Sequence, residues 1–230
     1  MKFKFNYPEV VRESTTEAGR LYYIKTEDGV LHDALKSVTT ILSKCMDSKA
    51  AIQKWRDLVG HHYADNITKT SSDRGSIMHD ILYYRLINED YSTKFKKNFM
   101  FLHAEKMADT ISEYLDENLN ELWGAEVPVM LPTYYAGRTD CVGVYNGVPS
   151  IIDFKNSYKE KSIEHMESYF YQCAAYAIAH DYLFNTDITQ AVILICNSDD
   201  ITAREIIVSG DEFKQYKMKW LDMVYQYCAE

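Results

Sequence analysis

The apolar positions of the chain change their spacing near residue 122. Before it they recur at helical intervals. Ile52, Trp55, Leu58 and Val59 fall on one face of a helix over 48–65. Ile77, Ile81, Leu82 and Leu86 do the same over 74–88, and 94–121 reads as a long amphipathic helix. Ser37 precedes VTTILSKC and marks a helix start near residues 37–39, with a break by Asp47; Ser71 to Asp73 have the composition of a cap. One stretch departs from this pattern: RLYYIKTEDGVL, 20–31, reads as a hairpin around Asp28-Gly29. After residue 122 the period falls to two. AEVPVML, 125–131, is a strand, and TYYAGRTDCVGVY and VPSIIDFKNS are two more. A helix over 164–184 follows, then QAVILIC, 190–196, as a buried strand. Residues 201–208 pair with it across the turn Asn197–Asp200, and 211–228 close the chain as a helix containing Trp220. Helix, three strands, helix, two strands, helix is the order of an α/β mixed sheet flanked by helices. A mostly helical part over 1–122, with its starting hairpin, and an αβ core over 123–230 make one expected domain over 1–230.

The central hairpin carries the chemistry. Asn146-Gly147 suits a two-residue type I′ turn, which needs positive φ at both central positions. With that loop and no bulge, partners sum to 293, so Asp140 faces Asp153 in a non-hydrogen-bonded pair, with Cα atoms about 4.5 Å apart. Opposed carboxylates repel. A shared proton, a cationic side chain or a bound divalent ion must compensate. Lys155 points to the same face as Asp153, about 6.6 Å further along, and Arg138 falls opposite Lys155. A hard cation such as Mg²⁺ prefers carboxylate oxygens and leaves room for a phosphate. An exposed hairpin with a surface salt-bridge ladder satisfies the same pattern.

Composition narrows the classes. The 230 residues suffice for a sizeable core. A net charge of −9 excludes a wholly basic, wrap-around nucleic-acid binder but not a local basic groove. The N-terminal MKFKFNYPEVVRES lacks the apolar run of a secretory signal, and no window reaches 18 apolar residues, so a cytoplasmic protein with no membrane partner is expected. The five cysteines, Cys45, Cys141, Cys173, Cys196 and Cys228, are odd in number and widely spaced, as reduced thiols are; no iron–sulfur cluster or zinc site is expected of them.

Several ordered motifs together resemble the PD-(D/E)xK nucleases, covering roughly residues 20–225. Asp140 stands where that family has its first acid, after Arg-Thr instead of Pro, and Asp153-Phe154-Lys155 matches (D/E)xK. Gln172-Cys-Ala-Ala-Tyr176 is similar to the Q-x-x-x-Y signature of the RecB-like branch, and Arg74-Gly75 with His79 to its upstream helical motif. Glu126 matches the acid on the preceding strand. SVTTILS, 37–43, IIDFKNS and the late tryptophan are similar to the mitochondrial genome maintenance exonuclease family, although no mitochondrial presequence accompanies them. The resemblance implies a restriction-endonuclease-like core and a Mg²⁺ or Mn²⁺ site held by Asp140, Asp153, the Phe154 carbonyl and His79, with Glu126 in or behind it. It implies Lys155 positioning or activating the attacking water, Gln172 and Tyr176 orienting the site from one helix face, and Arg74 on a phosphate.

Further contacts to DNA are expected from Arg138, Lys159, Lys161 and Tyr169, since rings and cations together suit single strands. The resulting expectation is a metal-dependent exonuclease acting on single-stranded DNA or flaps. A duplex-end resection enzyme, an endonuclease of the same fold, and an inactive nucleic-acid-binding or assembly module remain alternatives. The sequence does not identify protein partners.

Overall fold

The computed structural model describes residues 2–17, 19–46, 49–160 and 162–229. Three strands, β1 (Glu9–Thr16), β2 (Gly19–Lys25) and β3 (Leu31–Ser37), precede four helices: α1 (Val38–Cys45), α2 (Lys49–Val59), α3 (His61–Leu86) and α4 (Phe99–Asn118). Strands β4 (Leu119–Leu131), β5 (Tyr135–Tyr145) and β6 (Val148–Ser157) follow. Then come α5 (Glu167–Phe184), β7 (Gln190–Asn197), β8 (Thr202–Ser209) and α6 (Gly210–Ala229). All eight strands join one mixed sheet in the order β1-β2-β3-β5-β6-β7-β8, with β4 also on β5.

Alternation along the central strands puts successive residues on opposite faces. Val142, Ile151 and Ile193 pack with residues of α1, α5 and α6, including Ile41, Ala174 and Trp220. Their neighbours Cys141, Ile152 and Val192 pack with α3 and α4 through Met78, Ile81, Met107 and Ile111. The architecture is therefore a mixed sheet flanked by helices on both faces.

Local chemistry fixes the ends that bear on the site. Ser37 caps α1 by accepting from the Thr40 amide at 3.0 Å, and Asn98 caps α4 by accepting from the Phe101 amide at 2.9 Å. Asn146 (φ 51°) and Gly147 (φ 78°) form the expected hairpin turn.

Some expectations give way to tertiary packing. The predicted helix over 48–65 divides at Gly60, whose φ is 89°. Ser71 to Asp73 cap nothing; α3 runs through them, because Ser71 bonds Asn156 Oδ1 at 3.3 Å and Gly75 packs on β6. The helix predicted to reach 121 ends at Asn118, and the chain passes directly into β4, six residues before the strand expected at 125. The predicted break at Asp47 lies outside the described residues, as does Lys161. No helix is long and apolar enough to cross a membrane among the described residues.

One buried histidine sets a testable stability term. Thr186 donates its hydroxyl proton to Asp181 Oδ1 at 2.8 Å, so its oxygen accepts from His180 Nδ1 at 2.8 Å. Nε2, 3.1 Å from the Tyr7 hydroxyl, then accepts. Both ring nitrogens are satisfied in the neutral form, and burial pushes the imidazole down to about 4. The unfolded chain takes this proton near pH 6.5, the folded one only near 4. Stability from this group is therefore full above pH 6.5 and falls as pH drops toward 4, by about 3 kcal/mol. In His180→Gln the loss between pH 7 and pH 4.5, read by urea unfolding, is expected to be smaller than in wild type. Equal losses would mean the ring is not held neutral.

Candidate metal centre and its cleft

The site lies where two paired strands part. The β5–β6 ladder keeps the expected register, Tyr145 opposite Val148 through Cys141 opposite Ile152, and then stops. Asp140 and Asp153 are thus the first residues beyond the ladder, not a pair within it. One side of β5 is taken by β4 along its length. On the other side the start of β5 pairs in parallel with β3, Lys36 opposite Tyr135 and Ser37 opposite Ala136, and only its end pairs with β6. Between those partners the edge is open. Asp140 spans it: Oδ2 accepts the Phe154 amide of β6 at 2.7 Å. Its other oxygen lies 3.4 Å from Nδ1 of His79 on α3.

Gly75 brings α3 close enough for this. A Cβ there would stand 2.3 Å from Nδ2 of Asn156 on β6 and would displace that amide, and His79 follows one turn later. Glu126 completes the cluster. The β4–β5 register, Ala125 opposite Cys141 and Val127 opposite Thr139, sets Glu126 across from Asp140. Its φ is 50°, a left-handed conformation that costs a non-glycine residue about 1–2 kcal/mol. The Glu126 carboxylate is 4.0 Å from His79 Nδ1. One ligand atom each from His79, Glu126 and Asp140 lies within 4.8 Å of the others.

Behind this cluster stands a second charged group. Asp153 faces α5 and its side chain is 1% exposed. Lys155 Nζ lies 2.5 Å from its Oδ2, yet neither carboxylate oxygen has a partner in hydrogen-bonding geometry. Lys155 also donates to Gln172 Oε1 at 3.4 Å, and Gln172 Nε2 donates to the Tyr176 hydroxyl at 3.2 Å. The Tyr169 ring lies 5.0 Å from Nζ. Gly137 leaves room for Tyr176, whose Cε1 would be 2.5 Å from a Cβ there.

The charges shape one another. Burial pushes Asp153 up to about 6, Lys155 opposing and Asp140 adding to the rise. Burial and then the Asp140 charge push Glu126 up to about 7. Burial also acts against the Asp140 anion, but His79, Lys155 and the Phe154 amide together outweigh it and hold the carboxyl below its usual range. Likewise burial opposes the Lys155 ammonium, and Asp153 with Asp140 more than offset that, so its pKa is raised.

The cluster opens on a cleft of about 740 Å³. His79, Glu126, Asp140, Arg138, Gln172 and Tyr176 all line it. Arg138 sits at its rim, 41% exposed, and reaches Glu13 at 3.3 Å. Arg74 and Lys159 lie outside this cleft, in separate pockets. Phe154 buries its ring against the α3–α4 side, 5.9 Å from the His79 ring. Glu13, Arg20 and Tyr22 close the cleft from β1 and β2; no sequence motif marks Glu13 or Arg20. Arg20 and Tyr22 share a period-two face, but nothing local links that strand to the acids.

No family model matches the chain, and no curated protein does. Among solved structures it is similar to a putative exonuclease from Eubacterium rectale, at 14% identity and a TM-score of 0.45, over 68% of each chain. It is also similar to SSO0001, at 14% identity and a TM-score of 0.41, over 83% of this chain and 75% of that one.

Proposed function

We propose that the protein is a metal-dependent deoxyribonuclease of the PD-(D/E)xK kind, RecB-like branch, an exonuclease on single-stranded DNA or flaps. One observation carries this reading. A His79–Glu126–Asp140 cluster meets the buried Asp153–Lys155 pair at a strand splay, on the wall of a cleft. The donor set fits a hard divalent ion such as Mg²⁺ or Mn²⁺: carboxylate oxygens and an imidazole converge, and the buried Asp153 carboxylate has the Lys155 ammonium beside it and no further hydrogen bond. His79, Glu126, Asp140, Asp153 and the Phe154 carbonyl are the groups that would hold it. Bound there, the ion would polarise the phosphodiester and acidify a water.

The remaining roles belong to the chain itself. Lys155 is held as an ammonium, so it donates: it orients the attacking water and offsets charge growing on the phosphate oxygens. Gln172 and Tyr176 fix its direction through the relay of bonds from α5. Water oxygen bonds to phosphorus and gives up a proton to solvent, the P–O ester bond breaks, and the leaving oxygen takes up a proton from solvent. Arg138 at the rim would guide the backbone of the strand.

The test is digestion of end-labelled single strands, flaps and blunt duplexes with Mg²⁺, Mn²⁺ or EDTA. Metal-dependent shortening of strands and flaps, slower on blunt duplex, is the expected result, and EDTA stops it. Preferred attack on duplex ends, or internal cuts in circular DNA, would move the assignment to the resection or endonuclease alternative. Inertness on all substrates with both metals would overturn it in favour of a binding module.

A further inference from the structure

We propose that a second pocket, on the outer flank of α3, holds one nucleotide of the strand, with Arg74 on a phosphate and Tyr158 on the base. This rests on the nuclease reading. The pocket measures about 260 Å³ and is lined by Asn66, Ile67, Thr70, Ser71, Arg74 and Tyr158. The first five form a stripe along α3 at spacings of three and four, opposite the stripe of Ser72, Gly75, Ser76 and His79 that lines the main cleft. Tyr158 comes from the chain just beyond β6.

Arg74 is the informative group. Its Nε is buried and has no hydrogen-bond partner. Its guanidinium reaches Ser71 Oγ at 3.4 Å, and no carboxylate among the described residues pairs with it. Arg56, Arg85, Arg138 and Arg204 each reach a carboxylate, at 2.7, 2.6, 3.3 and 2.8 Å, while Arg12 lies over the Tyr23 ring at 4.9 Å and Arg20 bonds Tyr22. Burial lowers the Arg74 pKa, and the Cys196 thiol opposes this without offsetting it. A half-buried guanidinium left unpaired is a fork awaiting an oxyanion, and phosphate oxygens match its geometry.

The walls suit the rest of a nucleotide. The Tyr158 ring is 59% exposed and Ile67 is 37% exposed, so they offer an aromatic face and part of an aliphatic one to solvent. Lys159 Nζ stands 5.9 Å from the Tyr158 ring centroid, adding positive potential there. Stacking on a ring accepts any base. Helix α3 lies between this pocket and the cleft, and Asn156 of β6 meets it there: Ser71 bonds the amide oxygen and Gly75 packs on the amide nitrogen. Arg74 and His79 are five residues apart, roughly 7.5 Å along the helix axis. A strand bound at the metal centre therefore has neighbouring nucleotides within reach.

The experiment measures binding without cleavage. Fluorescence anisotropy follows a labelled twelve-nucleotide strand in EDTA, with wild type, Arg74→Ala, Arg74→Lys and Tyr158→Ala. Weakening of about tenfold is expected for Arg74→Ala and roughly tenfold for Tyr158→Ala, with Arg74→Lys intermediate. One abasic position should weaken wild type by the same factor and add nothing in Tyr158→Ala. Inorganic phosphate or a mononucleotide that displaces the strand only at concentrations far above its own would mark the phosphodiester chain as the ligand; equal displacement would make the pocket a free-nucleotide site and overturn the strand assignment. If wild type binds and degrades DNA while both alanine variants bind as tightly, the subsite falls and the nuclease stands. If wild type neither binds nor degrades DNA, both fall. Tyr158 is exposed, so its variant folds whatever Arg74→Ala does.

Discussion

If the protein is the nuclease proposed above, Lys155→Met is expected to lower the turnover number by about 10²–10³-fold while leaving the KM for the strand nearly unchanged. The lysine is the only cation among the described groups that touches Asp153, and the Gln172 carbonyl oxygen directs it. An ammonium aimed in this way acts on charge that develops during reaction, so its removal appears in turnover more than in binding. Lys155→Arg is not expected to restore activity, because a planar fork cannot occupy a buried slot shaped for one amine between Asp153 and Gln172. The same change alters stability in a way that identifies the pair. The Asp153 carboxyl ionises near 4 when unfolded and near 6 when folded. A raised carboxyl pKa gives stability that is full below the unfolded value and is lost as pH rises through the folded one. Without the ammonium the folded value climbs further, so the stability deficit of Lys155→Met is larger at pH 8 than at pH 5.5. Adding Asp153→Asn removes that pH dependence and leaves the enzyme inactive. Single-turnover hydrolysis and urea unfolding at the two pH values measure both. Turnover within threefold of wild type would remove Lys155 from the mechanism.

What could be read from the sequence follows the range of the forces involved. The Asn146-Gly147 turn and its register are local, so the pairing through Cys141 and Ile152 was legible, as was the common face of Asp153 and Lys155. The parting of the strands just beyond was not. It depends on β3, more than a hundred residues upstream of Asp140, taking the edge of β5 at Tyr135 and Ala136. Strand β1 was missed because neither of its faces is fully covered, and an edge strand without a buried face has no apolar alternation to betray it. The polar run Ser71 to Asp73 looks like a helix start in isolation. Its meaning comes from Asn156, whose amide receives Ser71 and sits where a Cβ at position 75 would displace it. Resemblance to a family, not periodicity, singled out His79 and Glu126. Alternation places Glu126 on the less buried face of β4, but a half-buried strand acid carries no local mark of the cluster that it joins.

Asp140 offers the second large effect, because two substitutions divide its two duties. Its carboxylate accepts the Phe154 amide at the point where the ladder ends, and it is the anion beside His79. Asp140→Asn keeps an oxygen for the amide, so the splay stays capped and the fold is expected to stay within about 1 kcal/mol of wild type. It removes the charge that raises the His79 pKa and that draws a cation, so activity is expected to fall at least about 10²-fold, with only partial recovery at high Mn²⁺. Asp140→Ala removes the acceptor as well. The Phe154 amide is then left without its partner beside a buried strand, which costs about 1–3 kcal/mol. Activity and stability therefore fall together in the alanine variant and separately in the asparagine variant. Chemical unfolding in EDTA, beside metal titrations of activity, reads the two effects independently. If Asp140→Asn loses as much stability as Asp140→Ala, the carboxylate is mainly a structural anchor of the splay. If Asp140→Asn stays as active as wild type at low Mg²⁺, the ion is held elsewhere and the cluster on α3, β4 and β5 is not the metal centre.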